Sequence, residues 1–155
     1  MNIPQPINPT EIQRINIQSL EPEAYQAMFG LENYLAESEL EPSLRELIKV
    51  RASQINGCAY CIQLHTEQAR KMGESEQRLY ALAAWVESPL FSPKERIVLA
   101  LTDDVTCLAV GGVSDETYYA ALDALGENCL AQALMQIVTI NAWNRMAVAT
   151  KMQHP

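Results

Sequence analysis

Apolar residues recur along this chain at three- and four-residue intervals, and no segment keeps the strict alternation of a half-buried strand, so the pattern predicts helices throughout. The first twenty residues are interrupted by Pro4, Pro6 and Pro9 and show little periodicity; they are expected to form an extended arm able to dock on a neighbour. Glu21-Pro22 opens a helix to about Glu39 with Tyr25, Met28, Phe29, Leu31 and Leu35 on its apolar side. Glu41-Pro42 opens a second, with Leu44, Leu47, Ile48, Arg51 and Ile55 on one face and Glu46, Lys49, Val50 and Ser53 on the adjoining one. Asn56-Gly57 breaks it, and the run from Cys58 to Met72 holds no Pro or Gly before Gly73, which predicts a third. A fourth spans about Ser75 to Glu87 through Leu79, Leu82, Ala83 and Val86. Ser92-Pro93-Lys94-Glu95 has the form of a capping box with proline at the first helical position, starting a fifth through Ile97, Ala100, Leu101 and Val105. Gly111-Gly112 ends it, Ser114 caps a sixth that stops near Leu125-Gly126, and a seventh runs from Glu127 to Lys151. Seven helices with short connections predict an all-α bundle, with residues 21–155 as one helical domain.

Composition narrows the function classes. A chain of 155 residues with 48% hydrophobic content is long enough for one domain with a real core. With 11 basic against 19 acidic residues the net charge is −8, and no basic run interrupts it, which argues against nucleic-acid and anionic-membrane binding. The N-terminus lacks a positively charged segment leading into an apolar core, and no stretch approaches the ~20 apolar residues of a spanning helix. A soluble cytoplasmic protein is expected. In a reducing compartment, a close cysteine pair points to redox or metal chemistry more than to a structural staple.

Such a pair exists. Cys58-Ala59-Tyr60-Cys61-Ile62-Gln63-Leu64-His65 gathers half of the four cysteines and one of the two histidines at a helix start. There, unpaired backbone N–H groups and the positive end of the helix dipole stabilise a thiolate. At about 100° per residue, Cys58, Cys61 and His65 share a narrow arc with Ile62, Ala69 and Met72. The arrangement suits dithiol redox chemistry, in which one thiolate attacks, its neighbour resolves the product as a disulfide, and an imidazole manages the proton. A structural zinc site needs four ligands, usually as two pairs, and Cys107, Cys129 and His154 supply no second pair. Haem attachment needs histidine directly after the second cysteine, where Ile62 stands. No cofactor or metal is therefore expected. Two buried, inert cysteines beside a core histidine are the structural alternative.

Glu46 lies ten residues before Asn56 and His65 eight after Gly57, so in a helical hairpin the two stand within about a turn at ~1.5 Å per residue. A carboxylate in reach would fix the tautomer of the ring and raise its basicity. The competing reading makes Glu46 a surface acid paired with Arg45 or Lys49.

Glu46, eleven intervening residues and Cys58-x-x-Cys61-x-x-x-His65 resemble the active-site signature of the AhpD-like alkylhydroperoxidase branch of the carboxymuconolactone decarboxylase superfamily. The resemblance takes in Leu44-Arg45-Glu46-Leu47-Ile48-Lys49-Val50-Arg51-Ala52-Ser53-Gln54-Ile55-Asn56-Gly57-Cys58, Phe91-Ser92-Pro93-Lys94-Glu95-Arg96 and Ile140-Asn141-Ala142-Trp143-Asn144-Arg145, and covers most of residues 20–150. It implies an all-helical fold assembling as trimers or hexamers, and a dithiol that reduces hydrogen peroxide or alkyl hydroperoxides and is recycled by an external dithiol or protein reductant. By similarity, Cys61 is the peroxidatic cysteine, Cys58 the resolving one, and Glu46 with His65 the proton relay. The best-known members carry a second histidine just before the later cysteine, where this chain has Tyr60, a phenol that donates a hydrogen bond but is a poor base near neutral pH. Decarboxylase members act on a lactone acid without a catalytic cysteine pair, which argues against that activity. A dithiol redox sensor, or a helical binding protein that retains the motif, is the alternative function.

The other notable residues have mainly structural readings. Cys107 and Cys129 are expected as small core residues, Asp103-Asp104 as a solvated helix end, and His154 as a tail residue without a role. Trp143, with Asn141, Asn144 and Arg145, has three readings: the site, a subunit interface or the core. The final helix carries Leu130, Leu134, Ile137, Val138, Ile140, Trp143, Met146, Ala147 and Val148, which wrap beyond the ~100° stripe of a monomer's surface helix, so a homo-oligomer is expected, and the resemblance implies a homotrimer or homohexamer.

Overall fold

A computed structural model describes residues 13–153, so most of the expected arm, and His154, lie outside the described residues. The part of the arm that is described ends not as extended chain but as a single helical turn, α1 (Ile17–Leu20), because the Asn16 side chain accepts a hydrogen bond from the Ser19 N–H. Seven further α-helices follow: α2 (Pro22–Ala36), α3 (Pro42–Asn56), α4 (Ala59–Lys71), α5 (Glu76–Ala81), α6 (Pro93–Thr106), α7 (Leu108–Gly111) and α8 (Asp115–Thr150). There is no strand among the described residues, and no helix is long and apolar enough to cross a membrane.

The helix starts follow local chemistry. Prolines stand in the first turns of α2, α3 and α6, where a missing N–H leaves no bond unmade. Ser75 and Ser114 accept from backbone N–H groups three residues on, and Ser92 with Glu95 closes the reciprocal capping box. Three ends depart from the periodicity. Helix α2 stops at Ala36 rather than Glu39, since the Arg45 guanidinium donates to the Leu35 carbonyl at 2.8 Å and the Ser38 carbonyl at 3.4 Å and holds the chain in a turn. The expected helix 75–87 tightens after Ala81 into a 3₁₀ turn, Leu82–Ala84, and Arg96 gathers the following carbonyls of Trp85, Val86 and Ser88 at 2.7–3.0 Å. The fifth expected helix stops at Thr106 with Cys107 as its C-cap, and a separate turn, α7, covers Leu108–Gly111. The break expected near Leu125-Gly126 is present: α8 is kinked at Gly126, whose backbone is non-helical (φ 74°, ψ 166°).

Helix α3 is the centre of the fold and packs on α4, α6 and α8. On one side, Leu40, Leu44, Ile48 and Ala52 join Val98 and Leu101 of α6 and Leu130, Ala133, Ile137 and Ile140 of α8. On the other, Leu47 and Val50 join Ala69, Leu79, Leu82, Trp85, Phe91 and Leu99. Fully burying side chains of this size contributes about 1.5–3 kcal/mol each. Gln136 of α8 is fully buried with neither amide atom partnered among the described residues, at a desolvation cost of about 1–3 kcal/mol.

Gly126 occupies backbone space that other residues reach only with strain, although an added Cβ would meet nothing within 4 Å. Gly126→Ala is expected to destabilise the fold by about 1–3 kcal/mol, read as a lower urea midpoint with an unchanged m-value.

Candidate active site

The α3–α4 turn places the cysteines. Gly57 adopts a left-handed conformation (φ 65°, ψ 33°) that ends α3, and the Cys58 N–H then donates to the Ser53 carbonyl at 3.0 Å. Cys58 is thereby the N-cap of α4 rather than part of its first turn, and its sulfur accepts the Cys61 N–H at 3.3 Å. The two cysteines are joined as a disulfide. A polar clamp holds this turn on α8: Asn56 Nδ2 donates to the side-chain oxygens of Asn141 and Asn144, both at 2.9 Å, and Asn144 Nδ2 donates to Ser53 Oγ at 3.0 Å. Asn141 in turn donates to Thr106 Oγ1 at 3.0 Å and accepts from Arg145 at 2.7 Å. Asn141, Asn144 and Arg145 thus support the motif from behind.

Glu46 is buried, not a surface acid. Its Oε2 lies 3.3 Å from His65 Nδ1 and its Oε1 accepts from Lys49 Nζ at 3.1 Å; Glu32 approaches the same ammonium at 3.7 Å. Burial works against the Glu46 carboxylate, but the hydrogen bond from His65 and the Lys49 charge outweigh it and hold its pKa below the usual glutamate value. Gln68 Oε1 also faces His65 Nδ1, at 3.1 Å. With an ionised carboxylate and an amide oxygen both facing Nδ1, that nitrogen carries the proton, and Nε2 keeps its lone pair free to act as a base.

A cavity of about 290 Å³ opens beside this cluster, lined by Cys61, His65, Tyr60, Lys49, Leu64 and Trp143 among others. Cys58 does not line it. Its side chain is 1% exposed and packs with Cys61 and Ala147 beneath Tyr60 and Met152. The cavity wall on the α2 side is Tyr25 and Phe29, whose rings lie 5.1 and 5.3 Å from that of Trp143. A larger groove, about 860 Å³, follows the Ile62 and Thr66 side of α4 and contains neither cysteine.

In the sequence, Tyr25 and Phe29 mark only the apolar side of α2. Their i, i+4 spacing is the signature of any core-facing stripe, and nothing local distinguishes a cavity wall from a core. Gln68 was foreseeable as the i+3 neighbour of His65. Ile62 and Met72 leave the expected stripe: Ile62 lines the outer groove and Met72 is exposed. Asp103 is no solvated helix end, since it takes a bidentate pair from Arg51 at 2.6 and 2.9 Å and the Trp85 indole N–H at 3.0 Å. Cys129 is half-buried against the α8 core, whereas Cys107 caps the end of α6; both thiols are free. Among the described residues, no three or more His, Cys, Asp or Glu side chains gather in a way that could hold a metal.

Glu46 carries a pH signature. A carboxylate whose folded pKa lies below its unfolded value, about 4.3, contributes stability that is fully present above that value and is lost as pH falls through the folded pKa. Below about pH 5, Glu46→Gln is expected to flatten the fall of unfolding free energy with acidification, measured by urea titration at successively lower pH.

Known proteins resemble this chain in sequence and fold. A profile of the Carboxymuconolactone decarboxylase family matches residues 22–104. The uncharacterized protein YdfG of Bacillus subtilis is 41% identical over 137 residues, covering 88% of this chain and 93% of its own. A crystal structure of an Agrobacterium tumefaciens protein of unknown function, described as a candidate antioxidant defence protein AhpD, superposes with a TM-score of 0.90 at 39% identity, covering 92% of this chain and 98% of that one. The debrominase Bmp8, solved with 2,3,4-tribromopyrrole, shares the fold at a TM-score of 0.80 and 18% identity, over 89% of this chain and 74% of its own. With its buried Glu46–His65 pair, its cysteine-capped α4 and these likenesses, the chain belongs to the carboxymuconolactone decarboxylase family, in its AhpD-like branch.

Proposed function

We propose that this protein is a thiol-dependent peroxidase that reduces hydroperoxides through a Cys58/Cys61 dithiol–disulfide cycle. The observation that carries the reading is the division of the site: Cys61 and His65 open on one cavity, while the disulfide partner Cys58 lies behind them. A debrominase shares the fold, so the proposal rests on the site and not on the architecture.

In the reduced protein, His65 Nε2 takes the Cys61 thiol proton, and Glu46 steadies the imidazolium through Nδ1. The Cys61 thiolate attacks one peroxide oxygen and the O–O bond breaks. The departing alkoxide takes the proton from His65 and leaves as an alcohol, and the sulfur, now oxidised, is a sulfenic acid. Cys58 attacks that sulfur, water departs with the Cys58 proton, and the disulfide seen here results. An external dithiol then reduces the pair by exchange and becomes a disulfide itself. Tyr60, in the position of the second histidine of the best-known members, donates no imidazole proton, and the relay runs through His65 supported by Glu46.

The site belongs to a homo-oligomer in this reading, trimeric or hexameric. Helix α8 buries Ile137 and Ile140 in the core yet leaves Met135, Val138 and Val148 about half exposed, an apolar face that a second subunit would cover. Light scattering at micromolar concentration is expected to give a mass three or six times 17.3 kDa; a monodisperse monomer would remove the assembly.

Cys61→Ser is expected to abolish peroxide consumption, and Cys58→Ser to form one sulfenic acid per subunit without turnover. Glu46→Gln and His65→Ala should slow Cys61 oxidation by about 10²–10⁴-fold, the range typical of losing a general base. Stopped-flow oxidation with sulfenic-acid trapping measures all four. Normal turnover by Cys58→Ser would refute the cycle, and one oxidation per wild-type subunit with no recycling by any dithiol would identify a redox sensor instead.

A further inference from the structure

We infer that the cavity over Cys61 is built for an uncharged hydroperoxide with a compact arene, and that Tyr25, Phe29 and Trp143 select this aryl group over hydrogen peroxide; the inference rests on the peroxidase reading. Three aromatic rings meet edge to face or tilted at centroid distances of 5.1–5.4 Å. This is the geometry that receives a further ring, whose edge or face can complete the cluster. Phe29 stands at the mouth with 43% of its surface exposed, an apolar area that a bound ring would cover.

Size and charge restrict the ligand further. A cavity of about 150 Å³ is enough for benzene, so about 290 Å³ holds one substituted ring and not a long acyl chain. Lys49, the one ammonium on the wall among the described residues, already faces two carboxylates, Glu46 and Glu32. It has no charge to spare for an anionic substrate, and Glu32 on the same wall repels one. Hydrogen peroxide gains nothing from the aromatic wall. An alkyl hydroperoxide that bears an aryl group, anchored by its ring, has its O–O bond held beside Cys61 and His65. The reaction is unchanged: the thiolate sulfur is oxidised, the O–O bond breaks, and the aryl-substituted alkoxide leaves with the proton from His65.

The test compares kcat/KM for cumene hydroperoxide, hydrogen peroxide and a carboxylate-bearing analogue of cumene hydroperoxide, with a dithiol reductant in excess. Cumene hydroperoxide is expected to exceed each of the others by about tenfold or more, the discrimination an apolar pocket provides. Phe29→Ala, at a half-exposed position that does not endanger the fold, should reduce the cumene-to-hydrogen-peroxide ratio at least about threefold, and Trp143→Leu should reduce it further. Equal kcat/KM for cumene hydroperoxide and hydrogen peroxide, or a ratio unmoved in both variants, would overturn the inference. If no peroxide is consumed, the peroxidase reading is what fails, and binding of the alcohol product 2-phenyl-2-propanol decides the cavity separately. Saturable quenching of tryptophan fluorescence that is lost in Trp143→Leu would support it, and no binding would refute it.

Discussion

Everything in this molecule depends on a helix that is buried on nearly every side and yet carries charge. Helix α3 lies between α4, α6 and α8 with Arg45 and Glu46 inside, at 8% and 4% exposure. An unpaired ion there would cost several kcal/mol. Each of its charged side chains has a dedicated partner instead: Arg45 the end of α2, Glu46 the Lys49 ammonium and the His65 ring, and Arg51 the Asp103 carboxylate on α6. These pairings fix how far each neighbouring helix can slide along α3. The placement of α4, and with it of Cys61 and His65, follows from satisfying Glu46.

The same economy governs the turn that carries the disulfide. Cys58 is at once a half of the disulfide, the N-cap of α4 and part of the small apolar cluster beneath Tyr60. Its backbone is tied to α3 through Ser53, and the side-chain amides of Asn56, Asn141 and Asn144 tie that stretch to α8. The sulfur that faces the cavity is thus presented by a rigid frame and not by a mobile loop, which suits a reaction whose geometry must recur at every turnover.

How much of this could be read from the chain depends on the range of the signal. Helix starts are local, and serines and prolines announced α2, α3, α5, α6 and α8 at the right residues. The Glu46–His65 approach was accessible because one glycine-turned hairpin separates the two, and counting residues along two helices suffices to align them. Helix ends were less legible, since Arg45 and Arg96 reach across the structure to collect carbonyls at the ends of α2 and of the 3₁₀ turn. Asp103 was misplaced for the same reason, its partner Arg51 lying 52 positions away. The aromatic wall was invisible as a wall. Tyr25, Phe29 and Trp143 come from opposite ends of the chain, and only the packing of α2 on α8 brings them together.

Helix α2 gives little to the core beyond Leu35, while its Tyr25, Phe29, Glu32 and Asn33 all face the cavity. Glu46, Cys61 and His65, in contrast, stand on α3 and α4, whose residues also hold the fold together. Robustness and adaptability are therefore assigned to different segments. Changes in the α3–α4 hairpin put the fold and the cysteine–histidine cluster at risk together, whereas changes at Tyr25, Phe29 and Asn33 of α2 reshape the cavity without removing a buried core side chain.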